Sequence, residues 1–224
     1  MANKTLALNI FADAVRHVER RGSHHEVEWQ RSVHFRDFDE SDLLRQSAWV
    51  ILCSGFRVST IEQIFDHISL CFCDWESAHA IVLTYPACRD AALASFNHRS
   101  KLNSIVEIAQ RVHREGFHVV KRKILCDPIG ELQTFPYIGR ITAAHLAKNL
   151  GWDVAKPDRH LARFSEHLGF SSVRDLCNTI AAATGEAVNV MDLILWRYLS
   201  DQRCAGSGSR SWPRAVVQIT ADEG

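Results

Sequence analysis

The sequence predicts an all-α fold on the basis of two patterns. Apolar residues recur at helical spacing through most of the chain, as in Ile61, Ile64, Phe65 and Ile68. One short stretch, FHVV at 117–120, has the composition of a β-strand, and it has no partner strand nearby. With 224 residues and 46% hydrophobic composition the chain is long enough to bury a core.

Each helix is predicted from its start and stop signals. Ser41 or Asp42 opens the first clear helix, Ser59 with Glu62 forms a capping-box pattern for the next, and Asp74 opens a third that ends before Pro86. Further helices are predicted at 87–95, 99–115, 158–168, 171–183 and 187–200. The stretch AGSGSRS at 205–211 is typical of a flexible connector.

The segment 132–150 predicts two helices joined by a tight turn. Pro136 lacks a backbone N–H and stops the first helix, and Gly139 is expected to supply the conformational freedom of the turn. The second helix begins at Arg140. Its first amides, from Tyr137 to Arg140, are expected to be unpaired and to bind a phosphate with the help of the helix dipole. Such a contact holds a nucleic-acid backbone and reads no sequence.

A known family shares this pattern. Phe-Pro-Tyr-Ile-Gly-Arg-Ile-Thr-Ala, followed nineteen residues after Gly139 by Asp158 and then by His160, resembles the helix-hairpin-helix DNA glycosylase superfamily. The stretches FNHRSKLNSIVEIAQRV (96–112) and SAWVILCSGFRVSTIEQIF (47–65) are similar to its upstream segments, so that the resemblance covers roughly 41–168. It implies a two-lobed helical fold with lobes at 39–152 and at 1–38 plus 153–224.

The resemblance also implies roles for particular residues. Asp158 would stabilise the cationic sugar and orient water when the bond between base and sugar is cut in a flipped-out nucleotide. The expected contacts to the DNA backbone are Tyr137, Gly139, Arg140 and Thr142, and the candidates for the base pocket or wedge are Trp49, Phe56 and Arg57. His160 is expected to be structural or to contact DNA.

Ile141 stands where bifunctional members of the family carry the lysine that forms an imine. An isoleucine is no nucleophile, so the resemblance implies a monofunctional enzyme that excises the base without cutting the strand. A lyase that uses Lys156 is the alternative. Cys177 and Cys204 are too few for an iron–sulfur cluster, and we expect no zinc site and no cofactor except a monovalent cation at the hairpin.

The sequence leaves two structural alternatives open. Asp158 precedes a helix and is a suitable N-cap, while Trp49 and Phe56 suit a hydrophobic core. If Asp158 serves only as a cap, the chain is a non-catalytic helix-hairpin-helix module that binds DNA.

The charge distribution is uneven although the formal net charge is zero. Residues 97–123 carry seven basic against two acidic side chains, which favours a surface that faces DNA. The expected partner is double-stranded DNA with a damaged or modified base, and alkylated purines are slightly preferred over oxidised purines, mismatched thymine or uracil. We expect a cytoplasmic monomer, associated with the nucleoid in a bacterium, because the sequence shows no membrane span and no signal-peptide pattern.

Overall fold

The computed structural model describes residues 2–204, and these residues contain α-helices and no β-strand. The all-α prediction is confirmed. The helices are α1 Lys4–Arg21, α2 His24–Ser32, α3 Glu40–Cys53, α4 Val58–Cys71, α5 Ala78–Thr84, α6 Ala87–Leu93, α7 Arg99–Glu115, α8 Phe117–Cys126, α9 Pro128–Gln133, α10 Arg140–Asn149, α11 Arg159–His167, α12 Val173–Thr184 and α13 Val188–Cys204. A short 3-10 turn, Cys73–Trp75, follows α4. The predicted connector at 205–211 lies outside the described residues.

The chain divides into two units. The terminal unit combines Met1–Ser32 with the chain from Asp153 onward, and the central unit is Val33–Trp152. The sequence placed the start of the middle lobe at residue 39, whereas the division in the structure follows Ser32. Within residues 2–204, no helix has both the length and the apolar composition that a membrane crossing needs.

The terminal unit is built from α1, α2, α11, α12 and α13 around one hydrophobic core. Leu6, Ile10, Ala14 and Val18 recur every four residues along α1, and all four are buried, because this spacing places them on one face of the helix. The backbone N–H of Asn3 donates to the carbonyl of Leu168 at 2.9 Å, so the start of α1 is joined to the end of α11.

The central unit surrounds α7, which packs against α3, α5, α6 and α8. Its buried face includes Leu102, Ile105 and Val112. Trp75 is fully buried nearby, and its indole N–H donates to Ser69 Oγ at 2.8 Å, so the polar end of the ring keeps a partner inside the core.

The stretch at 117–120, whose composition suits a strand, is helical. Gly116, with φ of +83°, ends α7, and the chain then continues as α8. Val120 and Ile124, four residues apart, are the buried positions of α8. The short apolar run was therefore the first half of a helical pattern, which period alone does not distinguish from a strand.

Three predicted helix starts were also shifted. Asp39 and Asp42 form the capping box of α3, which begins at Glu40. Ser59 lies inside α4, which has no side-chain cap. Asp74 belongs to the 3-10 turn, and the following helix, α5, is capped by Ser77.

Candidate nucleic-acid interface and carboxylate site

The hairpin consists of α9, a turn at 134–139 and α10. Phe135 and Ile138 are buried and anchor the turn in the central unit. The residue in the left-handed conformation is Tyr137, with φ of 66°, whereas Gly139 has φ of −86° and ψ of −178°, which any residue adopts. The expectation that Gly139 supplies the freedom of the turn was therefore wrong.

Gly139 instead keeps the start of α10 open. It is the N-cap residue, it is exposed, and no side chain caps the first amides of the helix. A Cβ at this position would meet no atom within 4 Å. The backbone N–H of Ile138 donates to the carbonyl of Phe135 at 3.2 Å. Of the amides from Tyr137 to Arg140 that were expected to be unpaired, this one therefore has a partner. Arg140 is exposed and Thr142 is half-buried beside them.

The structure brings one of the predicted wedge residues to the hairpin. Phe56, 42% exposed, follows α3, and its ring lies 6.0 Å from that of His98. The His98 ring in turn lies 6.1 Å from the ring of Tyr137, which is 43% exposed. Arg57, also exposed, follows Phe56. Trp49 is half-buried, and its ring packs edge-on against that of Phe65 at 4.9 Å.

Lys101 lies beneath these rings and was missed as a site residue. It is 1% exposed, and burial lowers its pKa to about 8. Its ammonium is 4.7 Å from the ring centre of Phe56 and 5.5 Å from that of Tyr137. A sequence signal existed: Lys101 shares a helical face with the buried Ile105 and Val112, at a spacing of four and eleven residues.

Several cations of the basic segment at 97–123 interact with other groups of the protein. Arg111 pairs with Glu115 at 2.9 Å and with Glu131, and it lies over the ring of Phe135. Lys123 also pairs with Glu115, at 2.9 Å. Lys101 is buried, and Lys121 donates to a backbone carbonyl. Arg99, Arg114 and Arg122 are exposed, and so is Lys123. The segment therefore offers fewer cations to DNA than its composition suggested.

Asp158 belongs to the terminal unit, where it is the N-cap of α11. Its Oδ1 accepts from the backbone N–H groups of His160 at 2.8 Å and Leu161 at 3.0 Å. Both capping bonds end on Oδ1, and no other described residue donates to this carboxylate. The side chain is 9% exposed. The capping role is thus present, and it occupies one carboxylate oxygen.

The backbone before Asp158 is held from α13. Asp192, which is 1% exposed, accepts from the backbone N–H of Lys156 at 2.9 Å, and the backbone N–H of Asp158 donates to the carbonyl of Lys156 at 2.8 Å. Asp153 accepts from the backbone N–H of Asn189 at 3.0 Å. Hydrogen bonds at both ends therefore restrict the segment 153–158.

The residues relevant to imine chemistry differ in exposure. Ile141 is 49% exposed on α10, so a side chain at this position reaches solvent. Lys148, on the same helix, is 5% exposed and is therefore no surface contact for DNA. Lys156 is half-buried in the terminal unit, as is His160.

Among residues 2–204, no group of three or more His, Cys, Asp or Glu side chains is arranged to hold a metal ion. The hairpin stretch FPYIGRIT (135–142) offers backbone carbonyls and hydroxyls but no carboxylate, a set that suits a monovalent cation better than a divalent one. A cavity of about 490 Å³ in the central unit is lined by Phe35, Arg36, Leu125, Pro128 and Trp152. None of the predicted site residues lines it.

The chain is similar to a solved structure, the crystal structure of the 8-oxoguanine DNA glycosylase of Thermotoga maritima. The two share 17% sequence identity with a TM-score of 0.55, over 86% of this chain and 96% of the other. The likeness shows that the two chains have the same helical fold. No protein-family model and no curated protein sequence matches the chain.

Proposed function

We propose that the protein is a DNA glycosylase that removes a damaged or modified base from double-stranded DNA by hydrolysis. The observation that carries this proposal is the carboxylate of Asp158, the N-cap residue of α11. One of its oxygens accepts both capping hydrogen bonds, and the other accepts none from the described residues. The fold that holds it is shared with a solved DNA glycosylase. The uncommitted Oδ2 is the atom to which we assign the chemistry.

The target nucleotide must leave the base stack before its sugar is accessible. When the C1′–N bond breaks, its electron pair leaves with the base and the sugar acquires oxocarbenium-like charge. The Asp158 carboxylate stabilises this charge by electrostatic attraction. A water oxygen then bonds to C1′, and the proton that this water loses passes to the carboxylate and from there to solvent.

We propose that the hairpin binds the DNA backbone. The uncapped amides at the start of α10, with the exposed Arg140 and with Thr142, suit a phosphate, and Gly139 leaves the approach open. Phe56, Arg57 and Tyr137 are proposed to contact the DNA beside it. Trp49, half-buried against Phe65, remains a candidate for the base pocket. A monovalent cation at the hairpin, a monomeric state and a cytoplasmic location remain proposals.

Ile141 supports a monofunctional reaction, because the exposed position beside the hairpin carries no amine. Lys156 remains the candidate for a lyase. Borohydride reduces an imine between protein and abasic DNA to a stable adduct, so we expect no adduct with the parent protein. An adduct that disappears in Lys156→Ala would assign lyase activity to that lysine.

A second function has one observation in its favour. The 9% exposure of Asp158 fits a residue that only caps α11, in which case the protein is a non-catalytic module that binds DNA. The enzyme and the module share every contact to the DNA backbone and differ in whether a base is released.

The deciding experiment incubates the purified protein with duplexes that carry alkylated purines, oxidised purines including 8-oxoguanine, mismatched thymine or uracil. Hot alkali then reveals abasic sites as strand breaks. We expect breaks at one class of lesion after alkali and none without it. Duplex binding without breaks for any lesion would favour the module, and absence of binding would contradict both functions.

A further inference from the structure

Lys101 is a charged side chain enclosed by the central unit at 1% exposure. Its ammonium donates to the carbonyl oxygens of Ile51 at 2.5 Å, Leu52 at 2.9 Å and Ser54. These carbonyls belong to the last turn of α3 and the residue that follows it, where a helix lacks partners for its final acceptors. Lys101, fifty residues away in the sequence from Ile51, supplies these partners.

The same ammonium lies against two rings from separate parts of the chain. Phe56 comes from the loop 54–57 after α3, and Tyr137 comes from the hairpin turn 134–139. Aromatic rings attract a cation through their negative faces, so the lysine holds both segments to α7. The rings are 42% and 43% exposed, which means that Lys101 supports them from inside while their outer parts reach solvent.

A buried charge is an expensive way to fill a core position. Methionine has a similar length and would place no charge away from water. The ammonium does what methionine cannot, since it satisfies three carbonyls and attracts two rings at the same time. These contacts explain a charged residue here, because only the ammonium can hold both the loop and the turn in position.

We propose that Lys101 is a positioning residue that fixes the loop 54–57 and the hairpin turn 134–139 as one DNA-contacting unit. Lys101 itself touches no DNA, since its side chain is enclosed. Its benefit is preorganisation, because two segments already fixed in place lose less conformational entropy when they bind a duplex. The identity of the ligand rests on the proposed function, whereas the coupling of the two segments does not.

The coupling is tested first in the free protein by amide hydrogen exchange of Lys101→Met. We expect exchange in both 54–57 and 134–139 to become faster by about tenfold, since the attraction to two rings is lost, while the core amides of α7 keep their protection. Unchanged exchange in the hairpin turn would overturn the proposal, even if the end of α3 became more mobile.

Lys121→Met is the matched control. Lys121 also donates to a backbone carbonyl, that of Phe38 at 2.7 Å, and also lies over two rings, Phe38 at 4.8 Å and Phe117 at 5.8 Å. It contacts neither segment. Faster exchange at 54–57 and 134–139 in this variant as well would mean that any lost lysine loosens the unit.

A double-mutant cycle in duplex affinity tests the consequence for binding. We expect Lys101→Met to weaken binding by about tenfold in the parent and by less than about twofold in a Phe56→Ala and Tyr137→Ala background, because the lysine acts through these rings. An equal loss of duplex affinity in both backgrounds would show that Lys101 does not act through these two rings. If the parent binds no duplex, the proposed function fails, and the exchange result still decides whether Lys101 couples the segments.

Discussion

Asp158→Asn separates capping from catalysis, because the two roles use different atoms. Asparagine retains Oδ1, which accepts both capping bonds from His160 and Leu161, and asparagine caps helices as well as aspartate does. The expected loss of stability is the interaction of the negative charge with the helix dipole, about 0.3–1 kcal/mol. Asp158→Ala also loses the bonds themselves, for a total of about 1–2 kcal/mol.

The expected loss in activity is much larger than the expected loss in stability. Without a negative charge the oxocarbenium-like sugar loses its electrostatic partner, and the single-turnover rate of base excision should fall by at least about 100-fold in both variants. Thermal unfolding, duplex affinity and excision are measured on the same preparations. The expected pattern is equal inactivity of the Asn and Ala variants with unequal stability.

Asp153→Asn is the control for this prediction. Asp153 is an exposed acid of the same segment, and it also accepts from the first turn of a helix, at Asn189. Its variant should excise at the parental rate. Excision by Asp158→Asn at the parental rate would refute the reasoning and reduce Asp158 to a helix cap.

Three further predictions concern the hairpin and the lysine beneath it. Gly139→Asp should raise the free energy of unfolding by up to about 1 kcal/mol, because the new carboxylate caps α10. The same carboxylate takes the place of the phosphate, so duplex binding should weaken by at least about tenfold. Unchanged affinity in a filter-binding or anisotropy assay would contradict the hairpin assignment. Ile141→Lys should fold normally, since the position is 49% exposed, and should form a borohydride-trapped adduct with abasic DNA that Leu125→Lys, also on the surface of the central unit, does not form. For Lys101, burial lowers the pKa to about 8 in the folded protein, whereas the unfolded value is 10.5, so between these two pH values the unfolded chain binds more protons than the folded chain. The free energy of unfolding of the parent, relative to that of Lys101→Met, should therefore rise with pH across this range by on the order of 3 kcal/mol in urea titrations. A difference between the two proteins that does not change with pH would contradict the burial of the charge.

The sequence predicted those features that local chemistry determines. Pro136 and Gly139 mark a break between two helical patterns, and the structure has α9 and α10 on either side of it. The capping role of Asp158, one of the two alternatives that the sequence left open, was readable because aspartate is a common N-cap before a helical run, and the structure has this cap. These signals lie within a few residues of the feature that they predict.

Features that depend on distant contacts were not predicted. The left-handed residue of the turn is Tyr137 and not Gly139, since the anchoring of Phe135 and Ile138 in the core overrides the local preference of glycine. Lys101 looked like one of several surface cations, because its partners, the carbonyls at the end of α3, lie about fifty residues earlier in the chain. Charge counted along a sequence likewise includes cations such as Arg111 that pair with acids brought close by folding.

Capping strengthens the case for catalysis by Asp158. A carboxylate must face a reacting sugar in a defined orientation, and a free aspartate side chain loses rotamer entropy when it is held in one. The two amides of α11 fix Oδ1. The backbone N–H of Asp158 donates to the carbonyl of Lys156, whose own amide donates to the buried Asp192, and these bonds fix the backbone behind the carboxylate. The remaining oxygen is thereby oriented before any substrate arrives. A surface aspartate without these bonds would need to acquire the same order during the reaction, so the helix start is a favourable place for the carboxylate.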